Sequence, residues 1–128
     1  MLLAIILGII IYMVLGMVYY SPKVLGHLWI NYLNIQEFKT PRYDVLSLAT
    51  FLTVSILYFI LQWSEANTPF EGLYIGLLVG VLVALAYAKD FVFGLGENTG
   101  SSLKVYFIAV GFHIIALSVI GMVMGSLL

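Results

Sequence analysis

A chain of 128 residues that is 63% hydrophobic and 9% charged, with a mean hydropathy of +1.14, carries more apolar surface than a soluble domain of this size can hide. A net charge of -1, without clustered Lys or Arg, argues against nucleic acid as a partner. The lack of Cys excludes structural disulfides, iron–sulfur clusters and thiolate zinc sites, and lipid becomes the expected partner and solvent.

A hydrocarbon layer of about 30 Å is crossed by about 20 apolar residues wound as a helix. Four stretches meet that demand, at about 2–20, 45–63, 70–91 and 103–127. The predicted fold class is therefore all-α: one four-pass transmembrane domain over residues 1–128, an integral membrane bundle of four transmembrane helices. The first apolar run has no basic segment before it and is longer than the core of a signal peptide, so it is expected to be retained. It ends at Tyr19 and Tyr20, whose rings suit the headgroup level.

Ser21 then reads as a helix cap, with Pro22 at the first helical position. Winding residues 22–34 as a helix places Lys23, His27, Asn31 and Asn34 on one face and Leu25, Leu28, Trp29, Tyr32 and Leu33 opposite. The predicted element is a short amphipathic helix lying in the membrane interface. Thr40-Pro41 repeats the cap-and-proline device ahead of the second span. Thr68-Pro69-Phe70-Glu71 is a capping box that starts the third helix near Pro69. Ser64 to Asn67 alone connect spans two and three, so these must be antiparallel neighbours. The Gly-rich run from Gly94 leads to a fourth helix beginning at Ser101 or Ser102. No internal repeat suggests an inverted-repeat transporter.

Basic residues bias loops towards the cytoplasm. Lys23, Lys39 and Arg42 separate spans one and two, Lys89 and Lys104 flank the connection between spans three and four, and the stretch from Trp63 to Phe70 has none. The expectation is a multi-pass protein of the cell's cytoplasmic membrane with both termini outside.

In the third span Gly72, Gly76, Gly80, Ala84 and Ala88 recur at every fourth residue, and Gly121 and Gly125 repeat the interval in the fourth. Small residues so spaced form a groove that admits another backbone. Either the chain's own helices fill it, or a second copy or another membrane protein does. His113 is the one His, Lys, Arg, Asp or Glu well inside a span. Such residues face the bundle or a water-filled path. It could move a proton or gate by pH, or it could be neutral and bonded to a hydroxyl of span two: Ser47, Thr50, Thr53 or Ser55. One His at that depth makes no metal site, and no cofactor is implied. Asp90 opposes the dipole at its helix end, so a cation such as Lys104, Lys23 or Arg42 is its expected partner. Lys23, Lys89 and Asp90 would then ring an inner mouth, with Glu65 and Glu71 at the outer rim. No G-x-S-x-G elbow, Ser-His-Asp set or phosphate loop appears, so no enzyme is expected.

The run Gly16-Met-Val-Tyr-Tyr20-Ser21-Pro22-Lys-Val-Leu-Gly26-His-Leu-Trp29 resembles the G-x-x-W-Y-S-P-x-x-F-G-x-x-W signature of the small membrane-protein family called domain of unknown function 1761. The closing stretch from Val110 through His113 to Gly121 is similar to that family's A-G-Y-H-containing helix. Tyr19 stands where Trp is usual, and Leu25 where Phe is common. The resemblance implies four membrane helices over essentially the whole chain, marks Tyr20, Ser21, Pro22, Gly26, Trp29 and His113 as matching positions, and supplies no activity. The expectation is a non-enzymatic multi-pass membrane protein whose biochemical activity the sequence does not give; one form of it is an oligomeric transporter or channel-like protein with a polar path lined by His113 and the span-two hydroxyls. The alternatives are a structural or regulatory protein binding a partner through the Gly/Ala face, and a protein that binds lipid or an apolar ligand near Trp29.

Overall fold

The computed structural model describes residues 1–33, 42–92 and 102–128, and most of the described residues are helical, with no strand among them. The elements are α1 (Leu2–Tyr19), α2 (Gly26–Leu33), α3 (Tyr43–Trp63), α4 (Pro69–Val92) and α5 (Ser102–Leu127). Four helical stretches are long and apolar enough to cross a membrane: Leu2–Tyr19, Tyr43–Trp63, Pro69–Asp90 and Leu103–Leu127. The start signal at Thr40-Pro41, Asn34 of the polar face and the run from Gly94 to Ser101 lie outside the described residues.

The connection between α3 and α4 follows from local chemistry. The backbone N–H of Ala66 donates to Leu61 at 3.1 Å and that of Glu65 to Gln62 at 3.1 Å, which closes the last turn of α3. Such a stop needs a left-handed residue, and Glu65 takes that place with φ 56°. Ala66 is then buried in the core cluster that contains Leu61. Two residues on, the capping box forms in full. Thr68 Oγ1 accepts from the Glu71 N–H at 3.2 Å, while Glu71 Oε2 accepts from the N–H groups of Thr68 at 3.1 Å and Asn67 at 3.0 Å. Orphan donors at the start of α4 are thereby satisfied.

The stretch after α1 departs from expectation. Residues 22–25 form a turn, and helix α2 begins at Gly26, so Pro22 is not its first residue. The chain folds back first: the Ser21 carbonyl accepts from Val24 at 3.0 Å and Gly26 at 2.9 Å, and the Tyr19 carbonyl accepts from Leu25 at 3.2 Å. Ser21 thus acts through its backbone and not as a side-chain cap. Lys23, His27 and Asn31 face outwards, while Leu25, Leu28, Trp29 and Tyr32 are half-buried on the side facing α5.

Helix α5 is the hub, in contact with all four other helices. It runs antiparallel to α1, because Gly8 meets Ile120 and Met124 while Tyr19 meets Ile108. It also runs antiparallel to α4, because Gly72 meets Gly121 and Gly125 while Ala84 meets Tyr106. One end of the bundle therefore carries the start of α1, the α3–α4 connection and the end of α5. The other carries α2.

The close approach of α4 and α5 answers the question left open by the small-residue ladder. A methyl group added at Gly72 would collide with the Gly121 carbonyl oxygen, and one at Gly76 with that of Leu117; one at Gly80 would stand 2.7 Å from Ile114 Cα. In return, side chains on Gly121 and Gly125 would strike the carbonyls of Gly72 and Thr68. Ala84 continues the contact, buried, with its carbonyl accepting the Tyr106 hydroxyl at 2.7 Å, and Ala88 is half-buried one turn on. The groove is filled from within. A partner chain binding through this face, one of the alternatives above, would have to displace α5.

Beside this pair, Val54, Leu61, Ile120 and Met124 are 0% exposed and Leu57 and Leu117 1%, a sealed core at the terminal end. Ala4, Ile5 and Ala66 close it. The outward surface is apolar almost throughout, including Leu3, Ile10, Phe51, Leu78, Leu82 and Phe107, as lipid-facing helices require.

Candidate functional site

His113 projects from α5 about 17 Å along the helix from its first residue and is half-buried. Its Nδ1 lies 3.0 Å from the hydroxyl of Tyr12 on α1. On the α4 side the ring of Tyr87 stacks on the imidazole, with centroids 5.6 Å apart and planes within 15°. The imidazole is therefore held by three helices, one hydrogen bond and one stacked ring. When Nε2 carries the proton the Tyr12 hydroxyl donates to Nδ1; when Nδ1 carries it the hydroxyl accepts.

The expected partners of His113 are the hydroxyls of α3, and none bonds to it. Ser47 is exposed, Thr50 is buried, and Thr53 donates back to the Ala49 carbonyl at 2.8 Å. Ser55 Oγ is buried with no hydrogen-bond partner. The physical reason lies in the placement of α3. All eight residues from Arg42 to Ala49 are exposed, whereas Thr50, Val54, Leu57, Tyr58 and Leu61 are buried. A helix lying along a bundle hides about one residue in three or four, so this half of α3 stands clear of the others. Tyr12 is the residue that sequence reasoning misses. A signal for it exists, since a Tyr in the middle of an apolar span needs a partner for its hydroxyl.

The family-like motif builds a corner that leads to this site. Tyr20 packs between Trp29 of α2, with centroids 5.2 Å apart, and Phe112 of α5, at 5.4 Å. Phe112 meets the ring of Tyr12 edge-on at 5.3 Å, and the Tyr19 hydroxyl donates to the Ile108 carbonyl at 2.7 Å. Gly16 lies beside Phe112, where a methyl would make ordinary contact at 3.5 Å from the ring. Gly26 is required where the turn doubles back, because a Cβ would collide with the Tyr20 carbonyl oxygen. Pro22 adds its carbonyl, which accepts from His27 Nδ1 at 3.1 Å. The motif thus joins α1, α2 and α5 next to His113.

Lys23, Lys89 and Asp90 are exposed at the α2 end. The expected pairing of Asp90 with Lys104, Lys23 or Arg42 is absent among the described residues. Arg42 binds Asp44 at 2.8 Å, the only ion pair among those residues, and Lys104 Nζ sits 5.0 Å above the Tyr32 ring. No group of three His, Cys, Asp or Glu able to hold a metal occurs among the described residues.

Fold and site together define a small all-α protein with four membrane-length helices, three of which meet at a His–Tyr pair. The chain belongs to the family described as Protein of unknown function (DUF1761), whose model matches residues 3–125. That is the family its Gly16–Trp29 motif resembles. No curated protein and no solved structure matches the chain.

Proposed function

We propose that this is a non-enzymatic transport protein of the cytoplasmic membrane, and that it passes protons, alone or with a solute, by way of His113. The observation that carries the reading is the Tyr12–His113 hydrogen bond inside the bundle, stacked against Tyr87. Phenol and imidazole can exchange donor and acceptor roles without moving, which suits a site that gains and loses a proton. A polar pair in lipid is costly unless it is used or fully paired. Tyr12 and Tyr87, next to the imidazole, support this reading. The basic residues favour the α2 end in the cytoplasm, with both chain termini outside. Lys23, Lys89 and Asp90 then lie at the cytoplasmic mouth.

Purified protein in liposomes loaded with a pH-sensitive dye tests this under a potassium diffusion potential. Dye acidification should be fast with the native chain and lost with His113→Ala. Acidification no faster than in empty liposomes, or unchanged by His113→Ala at every pH, would remove the reading. Single cysteines at Asn67 and Lys23, probed with an impermeant maleimide on intact cells, check the sidedness: Asn67→Cys should react and Lys23→Cys should not.

A further inference from the structure

The part of α3 that stands clear of the bundle is shaped to return to it. Thr50, Val54, Leu57, Tyr58 and Leu61 form the buried stripe of α3. Ser47, seven residues before Val54, continues that stripe with an offset of only about 20°, yet it is exposed. Helices α3 and α5 point the same way, because both run antiparallel to their neighbours α4 and α1. They share a level at Gly8, where an added methyl would stand 2.6 Å from Val54 and 3.3 Å from Ile120. Moving seven residues towards the α2 end, about 10.5 Å along each helix, leads from Val54 to Ser47 and from Ile120 to His113. The exposed hydroxyl and the imidazole therefore stand at one depth on faces that would meet. At the boundary, Thr53 turns its hydroxyl back onto the Ala49 carbonyl at 2.8 Å, a bond that bends helices.

We propose that Arg42–Ala49 is a gate, hinged at the turn from Ala49 to Thr53, which swings onto α5 and seats Ser47 against His113. With Nδ1 engaged by Tyr12, the Ser47 hydroxyl meets Nε2. The inference rests on the reading of His113 as a transport site and supplies its second conformation. With the gate out, the imidazole is reached from the α2 end while the core around Val54, Leu57, Leu61, Leu117, Ile120 and Met124 closes the terminal end. With the gate in, the α2 end closes as well, so that the proton on His113 is held from both sides.

The chain has no cysteine, so an engineered pair reports without background. Eleven residues towards the α2 end from Val54 and Ile120 stand Tyr43 and Ala109, at one depth and in line with Ser47 and His113. Tyr43→Cys with Ala109→Cys should form a disulfide in membranes under mild oxidation. Tyr43→Cys with Ser126→Cys, at opposite ends, should not. Failure of the first pair to bridge, while Tyr43→Cys alone still reacts with maleimide, overturns the gate. If the double variant is not recovered folded, nitroxides on the exposed positions of Leu46→Cys and Leu103→Cys read the same motion: two distance populations are expected, and a single long one overturns it. The two readings separate in liposomes. Bridged protein should lose proton flux and regain it on reduction; flux that is lost with His113→Ala but unaltered by the bridge keeps transport and overturns the gate, whereas a bridge that forms in protein with no flux above empty liposomes keeps the swing of α3 and discards the transport reading.

Discussion

The two halves of this bundle are built from different materials. At the terminal end, α4 and α5 touch backbone to backbone through Gly72, Gly76, Gly121 and Gly125, beside side chains that are almost wholly buried. At the α2 end, the helices are held by rings and hydroxyls: Tyr12 on His113, Tyr19 on Ile108, Tyr106 on Ala84 and Tyr20 between Trp29 and Phe112. Backbone contact leaves no freedom, because any added atom collides. Aromatic contacts with polar tips tolerate rearrangement, and α3 leaves the bundle at the boundary between the two. Tight backbone packing is concentrated at one end, and hydrogen-bonded rings at the other.

The largest effect should come from breaking the rigid half. Gly76→Leu would drive a branched side chain into the Leu117 carbonyl, and overpacking of this kind costs about 1–3 kcal/mol or more; loss of the folded monomer in detergent, followed by thermal unfolding, is the expected result. A folded Gly76→Leu protein with unaltered midpoint would mean that α4 and α5 do not meet there. Gly26→Val should come next, since the Tyr20 carbonyl blocks its Cβ and the corner must open. The expected readout is a red shift of Trp29 fluorescence in a Trp63→Phe background, with the α4–α5 pair intact.

Changes at the polar pair should be small in stability and large in function. Tyr12→Phe removes one hydrogen bond, and such bonds in membranes contribute about 0.6 kcal/mol on average. A double-mutant cycle with His113→Ala should give coupling of that order, while either change lowers proton flux; zero coupling would show that the two groups do not interact. The smallest shifts belong to the α3–α4 connection. Thr68→Ala should destabilise by about 1 kcal/mol through loss of the cap. Glu65→Gly should stabilise by about 0.5–1 kcal/mol, because glycine adopts the left-handed turn without strain. A lower unfolding midpoint for Glu65→Gly would contradict the φ of 56° observed there.

What local chemistry dictates is legible in the sequence. The capping box at Thr68 and Glu71 and the small-residue ladder can be read because each is fixed by spacing along one helix. The turn at Pro22 misleads because cap-plus-proline signals a helix start, while the actual stop depends on how closely Gly26 approaches Tyr20. The partner of His113 is hidden for a related reason: hydroxyls on α3 are numerous, and the Tyr on α1 at the right depth lies within an apolar run.

Hydropathy, the thickness of a hydrocarbon layer and the rise of a helix suffice to set the membrane-length helices and their order, since those quantities act on each segment alone. Rotation about each helix axis is another matter. A span such as α1 is apolar on nearly every side and buries only Ala4, Ile5 and Gly8, so its composition does not mark the face that meets a neighbour. Only the assembled bundle, in which backbone contact at the glycines fixes α4 on α5 and thereby turns His113 towards Tyr12 and Tyr87, decided that α5 fills the ladder and that phenols surround the imidazole.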